Sequence, residues 1–256
     1  LENLIVDSRT GKIELALLGF LAQVWWRVRG TEDRTALIER SGTMKIALIG
    51  ATGFVGSAIL KEALERGHEV TAIVRHPEKL TPHPKLHLQK GDIHNADELA
   101  GLLAGQDVVI SAFSPSKTDP DIRRKQVDGI KAMIAAMKRG GIKRLLVVGG
   151  AGSLEVKAGL RVIDTPDFPE QWKGTARATA DVLELLRGER DLEWTFLSPA
   201  AMLQPGARTG KFRLGTDQLV ADGNGQSSIS TQDYAVAMLD EVEKPAHARQ
   251  RFTVGY

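Results

Sequence analysis

The stretch Met44-Lys45-Ile46-Ala47-Leu48-Ile49-Gly50-Ala51-Thr52-Gly53-Phe54-Val55-Gly56 decides the fold. A short apolar run, Lys45–Ile49, meets glycines at every third position, and Val55 to Arg66 then takes up the longer apolar period of a helix. A strand that turns through glycines into a helix is the frame of a phosphate loop. Gly50 makes the tight turn, Gly53 lets a pyrophosphate come close to the backbone, and Gly56 lets the helix pack near the strand. Backbone N–H groups and the positive end of the helix then face the anion. The spacing is GxxGxxG, which departs from the commoner GxGxxG, and the competing reading is a glycine turn in a cofactor-free α/β protein.

Outward from this loop, Val70–Val74, Leu86–Gln89, Val108–Ser111, Arg144–Val148 and Trp194–Leu197 read as further strands. Between them, Ala96–Leu103, Ile122–Lys138 and Ala176–Leu186 carry helical periodicity. Strands such as Val108-Val109-Ile110 are apolar throughout, as befits strands covered on both faces. The alternation predicts an α/β fold, a doubly wound parallel sheet of Rossmann type. After about residue 200 the pattern loosens, with polar, glycine-containing stretches at Gly206–Gly210 and Asp222–Ser228. A helix over Thr231–Val242, capped by Thr231 or Ser230 with Asp233 near its positive end, and an edge strand at Arg251–Val254 complete a small C-terminal substrate lobe.

Met44 is expected to begin this domain, which runs over residues 44–256, and residues 1–43 form an N-terminal extension. Ile13–Val28 has partly helical spacing, which leaves two readings: a helix packed on its own domain, or an amphipathic one that meets a partner or membrane surface. The apolar run from Leu15 to Ala22 falls short of the ~20 residues of a spanning helix. Glu2, Asp7 and Glu14 are also out of keeping with a secretory signal.

Composition narrows the chemistry. Lys and Arg number 34 against 32 Asp and Glu, a formal charge of +2, so no broad basic face for nucleic acid is expected. The absence of cysteine excludes a disulfide framework, a thiolate zinc site and a cysteine nucleophile, and a cytoplasmic enzyme without a membrane or nucleic-acid partner is the expectation. His68, His76, His83, His87 and His94 crowd one stretch, but Pro82 and Pro84 flank His83 and no carboxylate pair completes a site, so no metal is expected.

An NAD enzyme places an acidic residue about 20 positions past the last glycine, for the ribose 2′-hydroxyl. Here Arg75-His76 ends the second strand. A guanidinium pairs with a 2′-phosphate where a carboxylate would repel it, so NADP is favoured over NAD, the alternative being a solvated surface arginine. Asp92, after the third strand, is placed either to accept from an adenine amino group or to cap the next helix. The small-residue loop Ser111-Ala112-Phe113-Ser114-Pro115 follows the fourth strand, at the mouth of a cofactor cleft.

These segments, with Ser198-Pro199-Ala200, resemble the atypical short-chain dehydrogenases. Asp164–Trp172, Trp194–Ala201, Pro205–Arg213 and Ile229–Glu243 are similar to the bacterial NADH-flavin-reductase-like and NmrA-like members, relatives of biliverdin IXβ reductase. The resemblance covers Met44 to Tyr256. It implies that Gly50, Thr52, Gly53, Phe54, Val55 and Gly56 hold the pyrophosphate, Arg75 and His76 the 2′-phosphate, and Asp92 the adenine. It further implies that Ala112, Phe113 and Ser114 lie along the ribose and nicotinamide, and that Gly149, Gly150, Ser198, Pro199 and Ala200 form the nicotinamide side. Ser153, near the superfamily's catalytic serine, and Lys173 are the catalytic candidates, each with a plainer reading as a turn residue or a solvated lysine.

The Tyr-x-x-x-Lys dyad of alcohol and ketone dehydrogenases is missing: neither Tyr234 nor Tyr256 has a lysine four residues on, and Pro169 stands four residues before Lys173. The resemblance therefore implies an NADPH-dependent reductase passing hydride to a flavin, FMN or FAD, or to another planar small molecule. The alternative it carries is an NADP-binding redox sensor without turnover. Oligomeric state is not legible.

Overall fold

The computed structural model describes residues 42–256, and the expected N-terminal extension with its Ile13–Val28 helix lies outside the described residues. From Met44 the chain forms β1 (Lys45–Ile49), α1 (Gly56–Glu65), β2 (Glu69–Val74), β3 (Leu86–Lys90), α2 (Ala96–Leu103), β4 (Val108–Ser111), α3 (Ile122–Gly140) and β5 (Arg144–Val148). It continues through a hairpin of β6 (Glu155–Lys157) and β7 (Leu160–Arg161), then α4 (Glu170–Arg187), β8 (Glu193–Pro199), β9 (Met202–Gln204), β10 (Arg213–Gly215), β11 (Ser228–Ser230), α5 (Thr231–Glu243) and β12 (Gln250–Gly255). Eight strands make one sheet in the order β10-β12-β8-β5-β4-β1-β2-β3. All neighbours are parallel except β10 with β12.

The strand order reverses between β1 and β4, where β1 pairs with β2 on one side and β4 on the other. This is the switch point at which doubly wound sheets bind ligands, beyond the strands' carboxyl ends. Alternation along each strand sorts the core into two layers. Ile46 and Leu48 of β1 pack with Ile59 of α1 and Tyr234 and Met238 of α5, while Ala47 and Ile49 face the layer of Leu99, Ile130, Met133 and Val182 from α2, α3 and α4. Parallel strands covered on both faces account for the continuously apolar strand sequences.

Local differences from the expected elements have identifiable causes. β12 is not an edge strand: it lies between β8 and β10, and Phe252 and Val254 are buried there. Three residues of β10, too short to register as a strand, cover its outer side. Helix α4 begins at Glu170, six residues ahead of its expected start, because Pro169 sets the helix entry while its first turns lack an apolar stripe. Ser230, not Thr231, caps α5, its hydroxyl accepting from the Asp233 N–H at 2.9 Å. Asp233 is turned away to accept from the N–H groups of Thr209 and Gly210, each at 2.8 Å, and from the Tyr256 hydroxyl at 2.7 Å. Beyond residue 200, α5 covers one face of the sheet, β12 and β10 extend it, and β9 pairs with β11 alone.

Candidate nucleotide-binding site

The loop after β1 is built by its glycines. Gly50 has φ of 85°, in the left-handed region, and a Cβ there would stand 2.7 Å from the Ala112 carbonyl oxygen. Gly56 begins α1, where a Cβ would lie 2.1 Å from the Gly50 carbonyl oxygen. Inside the turn, the Gly53 N–H donates to the Gly50 carbonyl at 2.9 Å. Thr52, Gly53 and Phe54 are exposed, and the first turn of α1 has neither an acidic residue nor a side-chain cap. A helix N-terminus left open in this way, on a turn that only glycine can make, fits a pyrophosphate.

Beside it, Arg75 and His76 are exposed directly after β2. The His76 Nδ1 lies 3.1 Å from Glu78 Oε1. Asp92 accepts from the backbone N–H of His94 and lies against its Nδ1, both at 3.0 Å. The His94 N–H chiefly, with the His94 ring and the charge of Arg75, holds the Asp92 carboxyl below the ordinary aspartate range despite partial burial. The cap of α2 is Asn95, whose side chain accepts from the Glu98 N–H, so of the two roles open to Asp92 the helix cap is removed. Phe113 turns its ring inward, edge-on to His94 with centroids 5.5 Å apart and over Gly129, where a Cβ would come within 2.8 Å of it. Its carbonyl accepts from Gln126 at 2.8 Å, so this loop offers the cleft backbone rather than an aromatic face.

At the carboxyl ends of β5 and β8, Gly149 and Gly150 leave no room for side chains: Cβ atoms would lie 2.3 Å from the Phe196 ring and 2.5 Å from the Thr179 hydroxyl. Ser198, Pro199 and Ala200 are buried, and the Ser198 carbonyl accepts from Thr253 at 2.9 Å. The hydroxyls of Ser111 and Ser198, and that of Thr175 on α4, are buried and have no partner among the described residues. Ser111 enters the sequence reading only as the first residue of the loop at the cleft mouth and Thr175 does not enter it, since an isolated hydroxyl in an apolar pattern gives no signal of its own.

The two catalytic candidates have other partners. Ser153 ends a short turn, and its hydroxyl accepts from Arg251 at 2.9 Å, while Arg251 is also paired with Asp217. The Lys173 ammonium lies 2.6 Å from Glu170 in the first turn of α4. Both tyrosines are engaged as well. Tyr234 is buried and donates to the Leu197 carbonyl at 2.7 Å, burial pushing its phenol pKa up, and Tyr256 donates to Asp233. Among the described residues no group of His, Asp and Glu is arranged to hold a metal ion, and no helix is long and apolar enough to cross a membrane.

Residues 50–245 match the NAD(P)H-binding family. The chain belongs to that family. An uncharacterized Bacillus subtilis protein, YwnB, is 42% identical over 215 residues, which cover 82% of this chain and 98% of that protein. A solved structure of a candidate epimerase from Bacteroides thetaiotaomicron is 46% identical, with a TM-score of 0.79, over 84% of this chain and 98% of the other. A candidate NADH-flavin reductase from Streptococcus pneumoniae is 39% identical, with a TM-score of 0.74, over 83% and 99% of the two chains. The likeness to atypical short-chain dehydrogenases and the Rossmann-type sheet are thus both found.

Proposed function

We propose that this chain is an NADPH-dependent reductase that passes hydride to a flavin or another planar small-molecule acceptor. The observation that carries the reading is the open N-terminus of α1 behind Gly50 and Gly56, with Arg75 exposed at the end of the neighbouring strand. Thr52, Gly53, Phe54, Val55 and Gly56 hold the pyrophosphate, Arg75 and His76 the 2′-phosphate, and Asp92 the adenine, its carboxylate kept ionised by His94. When bound, NADPH supplies the hydride and the acceptor takes it, with the balancing proton drawn from water. The protein orients the reacting groups and supplies no strong acid. Support for a flavin-like acceptor comes from the missing Tyr-x-x-x-Lys dyad and from both tyrosines being committed to structural bonds. The similarity to the candidate NADH-flavin reductase agrees with it.

A second reading is favoured by one observation: Ser153 and Lys173 are held by Arg251 and Glu170, as in a site that binds NADP and senses redox state without turnover. NADPH oxidation measured with and without FMN, beside a cofactor-binding titration, separates the two. Acceptor-dependent consumption supports the reductase, and tight binding without consumption supports the sensor.

A further inference from the structure

Three buried hydroxyls without partners are set at the same end of the sheet. Ser111 is the last residue of β4 and Ser198 lies near the end of β8, the two strands that flank β5. Ser111 is 1% exposed and Ser198 is 0% exposed. Both face the layer covered by α3 and α4: Val109, two residues before Ser111, and Phe196, two before Ser198, belong to that layer's core. Between them, Gly149 and Gly150 put no side chain over the end of β5.

The third hydroxyl comes from above. On α4 the buried residues Ala178, Val182 and Leu186 form the stripe that faces the sheet, and Thr175 continues it one turn toward the helix N-terminus. One turn on from Thr175, Thr179 bonds its hydroxyl back to the Thr175 and Ala176 carbonyls, at 3.2 and 3.0 Å, and packs over Gly150. Thr175 does not bond back in this way, and its hydroxyl is unpartnered. Trp172, three residues earlier and so on a neighbouring position of the helix surface, is 41% exposed. Buried hydroxyls without partners are costly in a protein, and three around one strand end mark a place where something polar is received.

We propose that Ser111, Thr175 and Ser198 form the hydrogen-bonding floor of the acceptor's subsite and Trp172 its stacking wall. This rests on the reductase reading and deepens it. The acceptor is a planar heteroaromatic molecule recognised along one edge that carries both donors and acceptors, as the pyrimidine edge of a flavin does. Hydroxyls suit such an edge because each can donate or accept. Thr175 is a positioning residue here: it sets the acceptor's orientation and leaves the nicotinamide nucleotide alone.

The test uses the full chain saturated with NADP and titrated with FMN and with riboflavin, following quenching of flavin fluorescence, beside NADPH oxidation kinetics. Thr175→Val is expected to weaken flavin binding and raise its KM by roughly five- to tenfold. Thr175→Ser restores both, and NADPH affinity stays unchanged in either variant. Flavin binding by Thr175→Val equal to that of the unaltered chain overturns the subsite even where turnover is present. Binding that depends on Thr175 without NADPH oxidation keeps the subsite and removes the reductase reading. Absence of any flavin binding by the unaltered, NADP-loaded chain overturns both.

Discussion

Replacing Gly56 with alanine puts the geometry of the phosphate loop to a direct test. The added methyl carbon would lie 2.1 Å from the Gly50 carbonyl oxygen and 2.8 Å from its carbon. Ordinary contact at such a pair is near 3.3 Å or more, so the first turn of α1 must retreat by about 1 Å. Both neighbours are backbone, and no side chain can swing aside to absorb the overlap. Overpacking of this kind costs about 1–3 kcal/mol of stability. In a domain of this size that lowers Tm by roughly 2–12 °C. The retreat also takes N–H groups out of line with the pyrophosphate, and one charge-assisted hydrogen bond lost is about 1.5–3 kcal/mol, or about 10- to 150-fold in NADPH Kd. Fluorescence titration of NADPH and thermal melting read the two effects separately. Gly101→Ala on α2 is the control, because nothing lies within 4 Å of its Cβ position and both quantities should hold or improve. NADPH binding by Gly56→Ala as tight as that of the unaltered chain would refute the reasoning.

Three further outcomes are expected. Arg75→Ala should weaken NADPH by about tenfold or more while leaving NADH unchanged, measured by parallel titrations, and equal weakening of both would remove the 2′-phosphate assignment. Glu241→Gln should lower stability by about 3 kcal/mol in denaturant titrations, because Glu241 Oε1 lies 2.7 Å from the buried Arg144 guanidinium and its loss strands that charge. Burial works to raise the Glu241 pKa, but hydrogen bonds from His247 and Ala246 and the charge of Arg144 outweigh it and hold the carboxyl below its ordinary range. Its stabilising effect is therefore complete above the unfolded value, about 4.3, and is lost as pH falls through the lower folded value, so the Gln variant should show a shallower acid limb. Ser153→Ala should lower Tm, since Arg251 loses an acceptor at 2.9 Å, with NADPH oxidation retained; loss of turnover at unchanged Tm would make Ser153 catalytic.

Residues that face the core were the most legible in the sequence. The apolar runs of β1, β4 and β5 are buried on both sides, and burial of that kind leaves its mark on every position of a strand. The glycines of the phosphate loop were legible for a related reason, since a left-handed turn at Gly50 and a backbone contact at Gly56 exclude other residues. What escaped depends on three-dimensional convergence. β12 reads as an edge because the three residues of β10 that cover it come from a polar loop far earlier in the chain. The first turns of α4 look irregular because Thr175 stands where an apolar residue would continue the stripe. Ser153 and Lys173 were legible as residue types at useful positions, but their partners Arg251 and Glu170 were visible only once folded.

The most direct test of the reductase account is NADPH consumption by the purified full chain, followed by the absorbance of the reduced nicotinamide with and without FMN and repeated with NADH. The account predicts consumption that requires FMN, runs faster with NADPH than with NADH, and loses that preference in Arg75→Ala. NADPH that binds and is not consumed with FMN, or consumption indifferent to the 2′-phosphate, would contradict it.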